Sequence, residues 1–187
     1  DVGSQAEAYN TGNARIVRSG ESAGGHLALL AGVAPPSAGF TSPCAAGGFT
    51  GNDVAVPKVA GIINWYGITD IVDMLGGANA RSYAVQWVGA ITGREPIARV
   101  VSPLTHVRAD APPVLSIQGD ADPIVPYSQN VRFRDAMVKA GAKAELFTVA
   151  GGGHGNFSPD ERVKIYAKIR EFLAANGLAA RPGTAQQ

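Results

Sequence analysis

The chain has 187 residues, 45% of them hydrophobic and 17% charged, the composition of an ordinary globular core rather than of a disordered or fibrous protein. A net charge of +1, with no basic run and no arginines interleaved with aromatics, gives no sign of nucleic-acid binding or of attachment to a membrane surface. No apolar stretch reaches the length of a bilayer span, the single cysteine (Cys44) excludes an internal disulfide, and three histidines without an H-x-x-x-H spacing point away from a zinc site.

Taken in order, "ARIVRS" (14–19) is a short run of β-branched and apolar residues and predicts the first strand. It runs into "GESAG" and the apolar helical pattern "GGHLALLAG" (24–32), so Ser22 falls on a strand-to-helix turn. A proline- and glycine-rich loop from Pro35 to Pro57, carrying Cys44, leads to a second strand, "VAGIINWYG" (59–67). The long connection that follows holds one helical pattern, "SYAVQWVGAI" (82–91), before a third strand, "PVLSIQG" (113–119). "SQNVRFRDAMVKAG" (128–141) sets Phe133, Ala136, Met137 and Ala140 on one stripe and stops at Gly141. After a fourth strand, "AELFTVAG" (144–151), comes the best-marked helix. Its start, "SPDE" (158–161), is a capping box with proline at the first helical position, and Ile165, Ile169, Phe172 and Leu173 keep helical spacing up to Asn176-Gly177. Residues 179–187 read as a frayed tail. Apolar strands alternating with helices predict an α/β fold, a parallel sheet covered by helices on both faces, in a single domain over 1–187.

In such a sheet, ligands bind beyond the carboxyl ends of the strands. Ser22 follows the first strand, Asp122 the third and His154 the fourth, so three reactive side chains far apart in sequence converge on one edge. A serine hydroxyl needs a histidine to take its proton, and that imidazole needs a carboxylate to hold its tautomer. The order Ser, Asp, His is the chain order of the α/β-hydrolase arrangement. A strand-to-helix turn strains the nucleophile's backbone, and glycine at Gly20 and Gly24 avoids a Cβ pressed on neighbouring backbone. The N–H of Ala23, at the positive end of the helix, is the natural donor to an oxyanion. G-x-S-x-G alone is a weak pattern among 24 glycines, and a serine there also reads as a plain N-cap. For the acid, Asp120 and Asp70 stand as alternatives to Asp122. His26 reads as a packed or loop-bonded helix residue and His106 as part of a polar connection. Trp65 and Tyr66 end the second strand at the functional edge and are candidates to wall a substrate pocket, with core packing as the other reading.

The segments "GESAGGHLALLAG", "VAGIINWYGITD", "SPLTHV", "PPVLSIQGDADPIVPYSQ", "KAGAKAELFTVAGGGHGNF" and "IREFL" together resemble the α/β-hydrolase esterases of the hormone-sensitive-lipase-like type, closest to the group with feruloyl and acetyl-xylan esterases. The resemblance runs from Asn13 to Leu178 and matches the family's nucleophile, acid and histidine to Ser22, Asp122 and His154. It implies hydrolysis of a small-molecule carboxylic ester through an acyl-serine intermediate, with no cofactor or metal. The short connections 67–80 and 92–112, with no dedicated cap domain in view, suggest short acyl groups.

Three departures stand out. The family carries further strands and a His-Gly-Gly oxyanion loop ahead of the nucleophile turn; here they are missing. The expectation is therefore a carboxyl-terminal part of a longer esterase, with "RIVRS" left as an edge open to self-association. Arg18 sits at a usually apolar strand position, where burial would call for a carboxylate partner, and Gln118 replaces a usual histidine, which bears on local packing. Prolyl-oligopeptidase-type peptidases share the Asp-x-x-Val-Pro and late-His signatures, but Ala23 after the serine and the lack of propeller repeats favour the esterase. A reading of another class is a hydrolase fold kept as a weakly active or inactive binding module.

Overall fold

The computed structural model describes residues 15–40, 58–89 and 92–179. Four strands, β1 (Ile16–Glu21), β2 (Val59–Trp65), β3 (Val114–Gly119) and β4 (Ala144–Val149), form one parallel sheet in the order β1-β2-β3-β4. The helices are α1 (Ala23–Val33), α2 (Ser82–Val88), α3 (Arg94–Val100), α4 (Tyr127–Lys139) and α5 (Pro159–Ala175). β1 lies two residues later than "ARIVRS" predicts, so the strand runs almost to the serine.

Parallel strands must be covered on both faces. All six residues of β3 are buried. On one face Leu29 and Val33 of α1 and Phe133 and Met137 of α4 pack with Ile62 and Val114. On the other, Ile165 and Phe172 of α5 meet Ile63, Leu115 and Ile117. Of the stripe expected on α4, Phe133 and Met137 face the sheet, while Ala136 is half-buried and Ala140 lies past the helix end. On α5 the expected Ile165 and Phe172 are buried with Ile169 and Leu173 packed beside them, and the Ser158–Glu161 capping box opens the helix in both directions.

Along the α1 and α4 face the sheet changes character. Ile62 and Val114 give way, toward the carboxyl ends, to Asn64, Ser116 and Gln118, all fully buried. Asn64 and Ser116 are register partners across β2 and β3. A polar layer therefore underlies the edge where the reactive side chains stand.

The connection between β2 and β3 forms a third apolar cluster, in which Ile68, Ile71 and Met74 join Ala84 of α2, Ala98 of α3 and Val125. The sequence reading found α2 but not α3, in whose seven residues, opened by Gly93 at φ 85°, Arg94, Glu95, Pro96 and Arg99 interrupt the apolar pattern that α2 shows. Arg18 is only half-buried, so the condition under which it would call for a carboxylate does not arise. Its guanidinium donates to the Ala31 carbonyl at 2.8 Å, with no carboxylate paired to it among the described residues. Cys44 and residues 180–187 of the tail lie outside the described residues.

Candidate active site

Ser22 stands between β1 and α1 with φ 51° and ψ −117°, a conformation that costs an L-residue roughly 1–3 kcal/mol. Two backbone bonds hold it there: Ser22 N–H to the Trp65 carbonyl at 2.9 Å and His26 N–H to the Ser22 carbonyl at 3.0 Å. Although Ser22 occupies the N-cap position, its side chain makes no capping bond. The hydroxyl lies instead 2.9 Å from His154 Nε2.

The turn needs glycine at Gly20, as expected, but not at Gly24. A Cβ on Gly20 would fall on the Gly24 carbonyl, whereas one on Gly24 itself would meet nothing within 4 Å. The second tight position is Gly25, where a Cβ would come 2.6 Å from Asn64 Oδ1 and 3.0 Å from the Gly67 Cα. The backbone of α1 thereby sits directly on the end of β2.

Beyond β4, His154 turns Nδ1 to Asp122 Oδ2 at 2.8 Å. The Asp122 side chain is fully buried, while that of His154 is 19% exposed, enough for a substrate to reach the imidazole edge. Asp122 Oδ1 accepts the Ile124 and Val125 N–H groups at 2.8 and 3.0 Å, and Gln118 Nε2 donates to Oδ2 at 3.2 Å. With N–H groups converging on both oxygens the carboxylate is an acceptor, so His154 Nδ1 is the donor and Nε2 offers its lone pair to Ser22. The two alternative acids are engaged elsewhere. Asp120 accepts the Gly151 N–H at 2.6 Å, and Asp70 pairs with Arg132 at 2.9 Å.

Ala23 opens α1, so its N–H has no acceptor within the helix and points from the positive end of the dipole. A cavity of about 450 Å³ opens beside Ser22 and Ala23, walled by His26 and Leu27 of α1, Tyr83, Ala84 and Trp87 of α2, and Ile68, Ile71 and Ile124.

Trp65 and Tyr66, expected as pocket walls, do not line this cavity. Trp65 belongs to the α5 face, where its ring meets Tyr166 edge-on at 5.8 Å. Tyr66, at φ 42°, lies behind His154 with ring centroids 4.6 Å apart. Its hydroxyl donates to Glu21 Oε2 at 2.8 Å, and burial, followed by this bond, pushes the phenol well above its ordinary range. Gly155, at φ 80°, leaves room for it, since a Cβ there would meet the Tyr66 hydroxyl at 2.6 Å. His26 is buried on α1, with Nδ1 3.0 Å from the Ile68 carbonyl, and burial holds its imidazole below the ordinary value. His106 lies 2.6 Å from the Val100 carbonyl, in the connection that ends at β3.

A parallel sheet with a strained serine turn on one strand end, and histidine and aspartate beyond two others, defines the architecture of the α/β-hydrolases. Within that class the chain belongs to the BD-FAE family, whose model matches residues 2–137. Esterase LipQ of Mycobacterium tuberculosis is 28% identical over 170 residues, which are 88% of this chain and 36% of LipQ. Among solved structures, the thermophilic esterase Est2 of Thermogutta terrifontis in its butyrate-bound form aligns with a TM-score of 0.75 and 28% identity, covering 97% of this chain and 64% of that one. The same esterase phosphonylated by sarin aligns with a TM-score of 0.77 and 27% identity, over 96% and 63% of the two chains. A truncated carbohydrate esterase from gut microbiota aligns at 0.69 with 28% identity, over 92% and 65%. The chain thus spans about a third of LipQ and less than two thirds of these solved chains.

Proposed function

We propose that this chain carries the catalytic triad of a serine esterase that cleaves carboxylic esters with short acyl groups. The observation that carries the reading is the unbroken line from Ser22 Oγ to His154 Nε2 at 2.9 Å and from His154 Nδ1 to Asp122 Oδ2 at 2.8 Å. Ser22 Oγ attacks the ester carbonyl as His154 Nε2 takes its proton, and the carbonyl oxygen becomes an oxyanion facing the Ala23 N–H. Collapse breaks the bond to the alcohol, which leaves with the proton from His154. Water, deprotonated by the same nitrogen, then attacks the acyl-serine; the acyl–Oγ bond breaks, the acid is released and His154 returns the proton to Ser22 Oγ. Asp122 steadies the imidazolium in both halves.

The alcohol must leave beside His154, where it collects its proton. The cavity, walled from the α1 and α2 side, is therefore assigned to the acyl group. Its apolar lining suits a hydrocarbon chain without charge. Est2, whose bound forms include propionate and butyrate, supports short chains, and its reaction with sarin supports an activated nucleophile in this fold. A series of nitrophenyl esters tests both points. Hydrolysis with an optimum at short acyl length is expected; an optimum at long chains overturns the specificity, and no hydrolysis with no labelling by a fluorophosphonate overturns the function.

A further inference from the structure

Gln118 is fully buried on the polar end of β3. Its Oε1 accepts from Asn130 Nδ2 at 2.7 Å, and its Nε2 donates to the Val125 carbonyl at 2.8 Å and to Asp122 Oδ2 at 3.2 Å. Asn130 Nδ2 also donates to the Gly67 carbonyl at 3.0 Å, and Asn130 Oδ1 accepts from Asn64 Nδ2 at 2.8 Å. Asn64 Oδ1 in turn accepts the Gly67 N–H at 3.0 Å. Three amides thus run in series from the turn after β2 to the aspartate.

Their directions are not free. The Gly67 N–H can only donate, which fixes Asn64 Oδ1 toward it, and the Gly67 and Val125 carbonyls can only accept, which fixes the NH2 ends of Asn130 and Gln118. A flipped amide would set oxygen against a carbonyl at each step. Gln118 therefore presents an N–H, and not a carbonyl, to the same Asp122 oxygen that accepts from His154.

We infer that Gln118 is a positioning residue for the acid–histidine pair, fixing the Asp122 carboxylate and sharing with His154 the charge on Oδ2. The inference rests on the esterase reading above. An oxygen that already accepts one N–H holds an imidazolium less strongly, so taking the Gln118 donor away tightens the hold of Asp122 on the imidazolium formed in the reaction. The other groups around His154 are Ser22, the Tyr66 ring with Glu21 behind it, and Arg162, whose guanidinium donates to the neighbouring Gly155 carbonyl. All of them remain when Gln118 alone is changed.

The test is the rate at which a fluorophosphonate labels Ser22, followed from about pH 5 to pH 8, across the ordinary titration range of histidine. Gln118→Met keeps the length and removes both donors. Its acid limb is expected to move up by about half a pH unit, and its plateau to fall about tenfold as the carboxylate loosens. Asn130→Ala is the stability control: it breaks the series but leaves Gln118 fixed by the Val125 carbonyl, so melting temperature falls while the acid limb stays. Gln118→His restores a ring N–H, and its limb is expected to return toward that of the wild type. An unmoved limb in Gln118→Met, or equal movement in Asn130→Ala, overturns the inference while leaving the esterase reading intact. Should Gln118→Met not fold, Gln118→His decides: a limb at the wild-type position supports the role and a displaced one overturns it. A wild-type chain that does not label removes the esterase reading and this inference together.

Discussion

At Ser22 a strained backbone, two hydrogen bonds that hold it and a hydroxyl turned to His154 are concentrated in one residue. Ser22→Ala and His154→Ala are expected to lower ester hydrolysis by about a thousandfold or more, since each removes a member of a unit that works only whole. Asp122→Asn should cost on the order of 10³- to 10⁴-fold. Asp120→Asn should be mild, since the Asp120 carboxylate accepts only the Gly151 N–H among the side-chain bonds of the described residues. Initial rates of the four variants on one nitrophenyl ester check the ranking, and an Asp120→Asn loss greater than that of Asp122→Asn sinks the assignment. His26 gives a pH-dependent stability. Burial depresses its folded-state pKa below the ordinary 6.5, so as pH falls through 6.5 the unfolded chain binds a proton that the folded chain refuses. Stability is fully present above that value and declines below it, by up to about 1.4 kcal/mol per pH unit, until the folded imidazole also protonates. Melting temperatures between about pH 7 and pH 5 should fall more steeply for the wild type than for His26→Gln. The meeting of Ser22, Asp122 and His154 was legible because reactive residue types stood beyond predicted strands in a telling order. Gln118, Glu21 and the placement of Tyr66 were not, because their roles come from partners that only the folded chain brings near.

Among the elements, those with a long apolar period were read nearly to their ends, as with α4 and α5, whereas α3 escaped. The strands were legible from β-branched runs, but sequence alone did not tell which glycines beside the serine are sterically required. The contrast at the β1–α1 turn is a prediction in itself. Gly20→Ala drives a Cβ into the Gly24 carbonyl, a clash of backbone on backbone that cannot relax by rotamer change, and should destabilise by about 1–3 kcal/mol or prevent folding. Gly24→Ala meets open space within α1 and should stabilise by about 0.5–1 kcal/mol, through helix propensity. Urea midpoints of the two variants measure the difference; equal destabilisation by both would mean that the turn is not as tight as its geometry requires.

For the whole molecule, the open question is the flank of the sheet. β1 leads directly into Ser22 yet is paired only with β2 among the described residues, and every residue in it is at least partly exposed. Central strands of parallel sheets are normally buried on both sides, as β3 is here. Val17 packs against the α5-face core from this edge, so apolar surface and backbone groups without a partner among the described residues lie together. Such an edge templates strand addition, and the 187-residue chain on its own should associate with further copies through β1. Sedimentation velocity over a range of concentrations is expected to reveal dimers or larger species. Ser19→Lys, which sets a charge at an exposed position of β1, should shift the distribution toward monomer without lowering the melting temperature of the fold. Monomers at all concentrations in the unmodified chain would mean that this edge is covered in solution, and the proposal of self-association through it would fall.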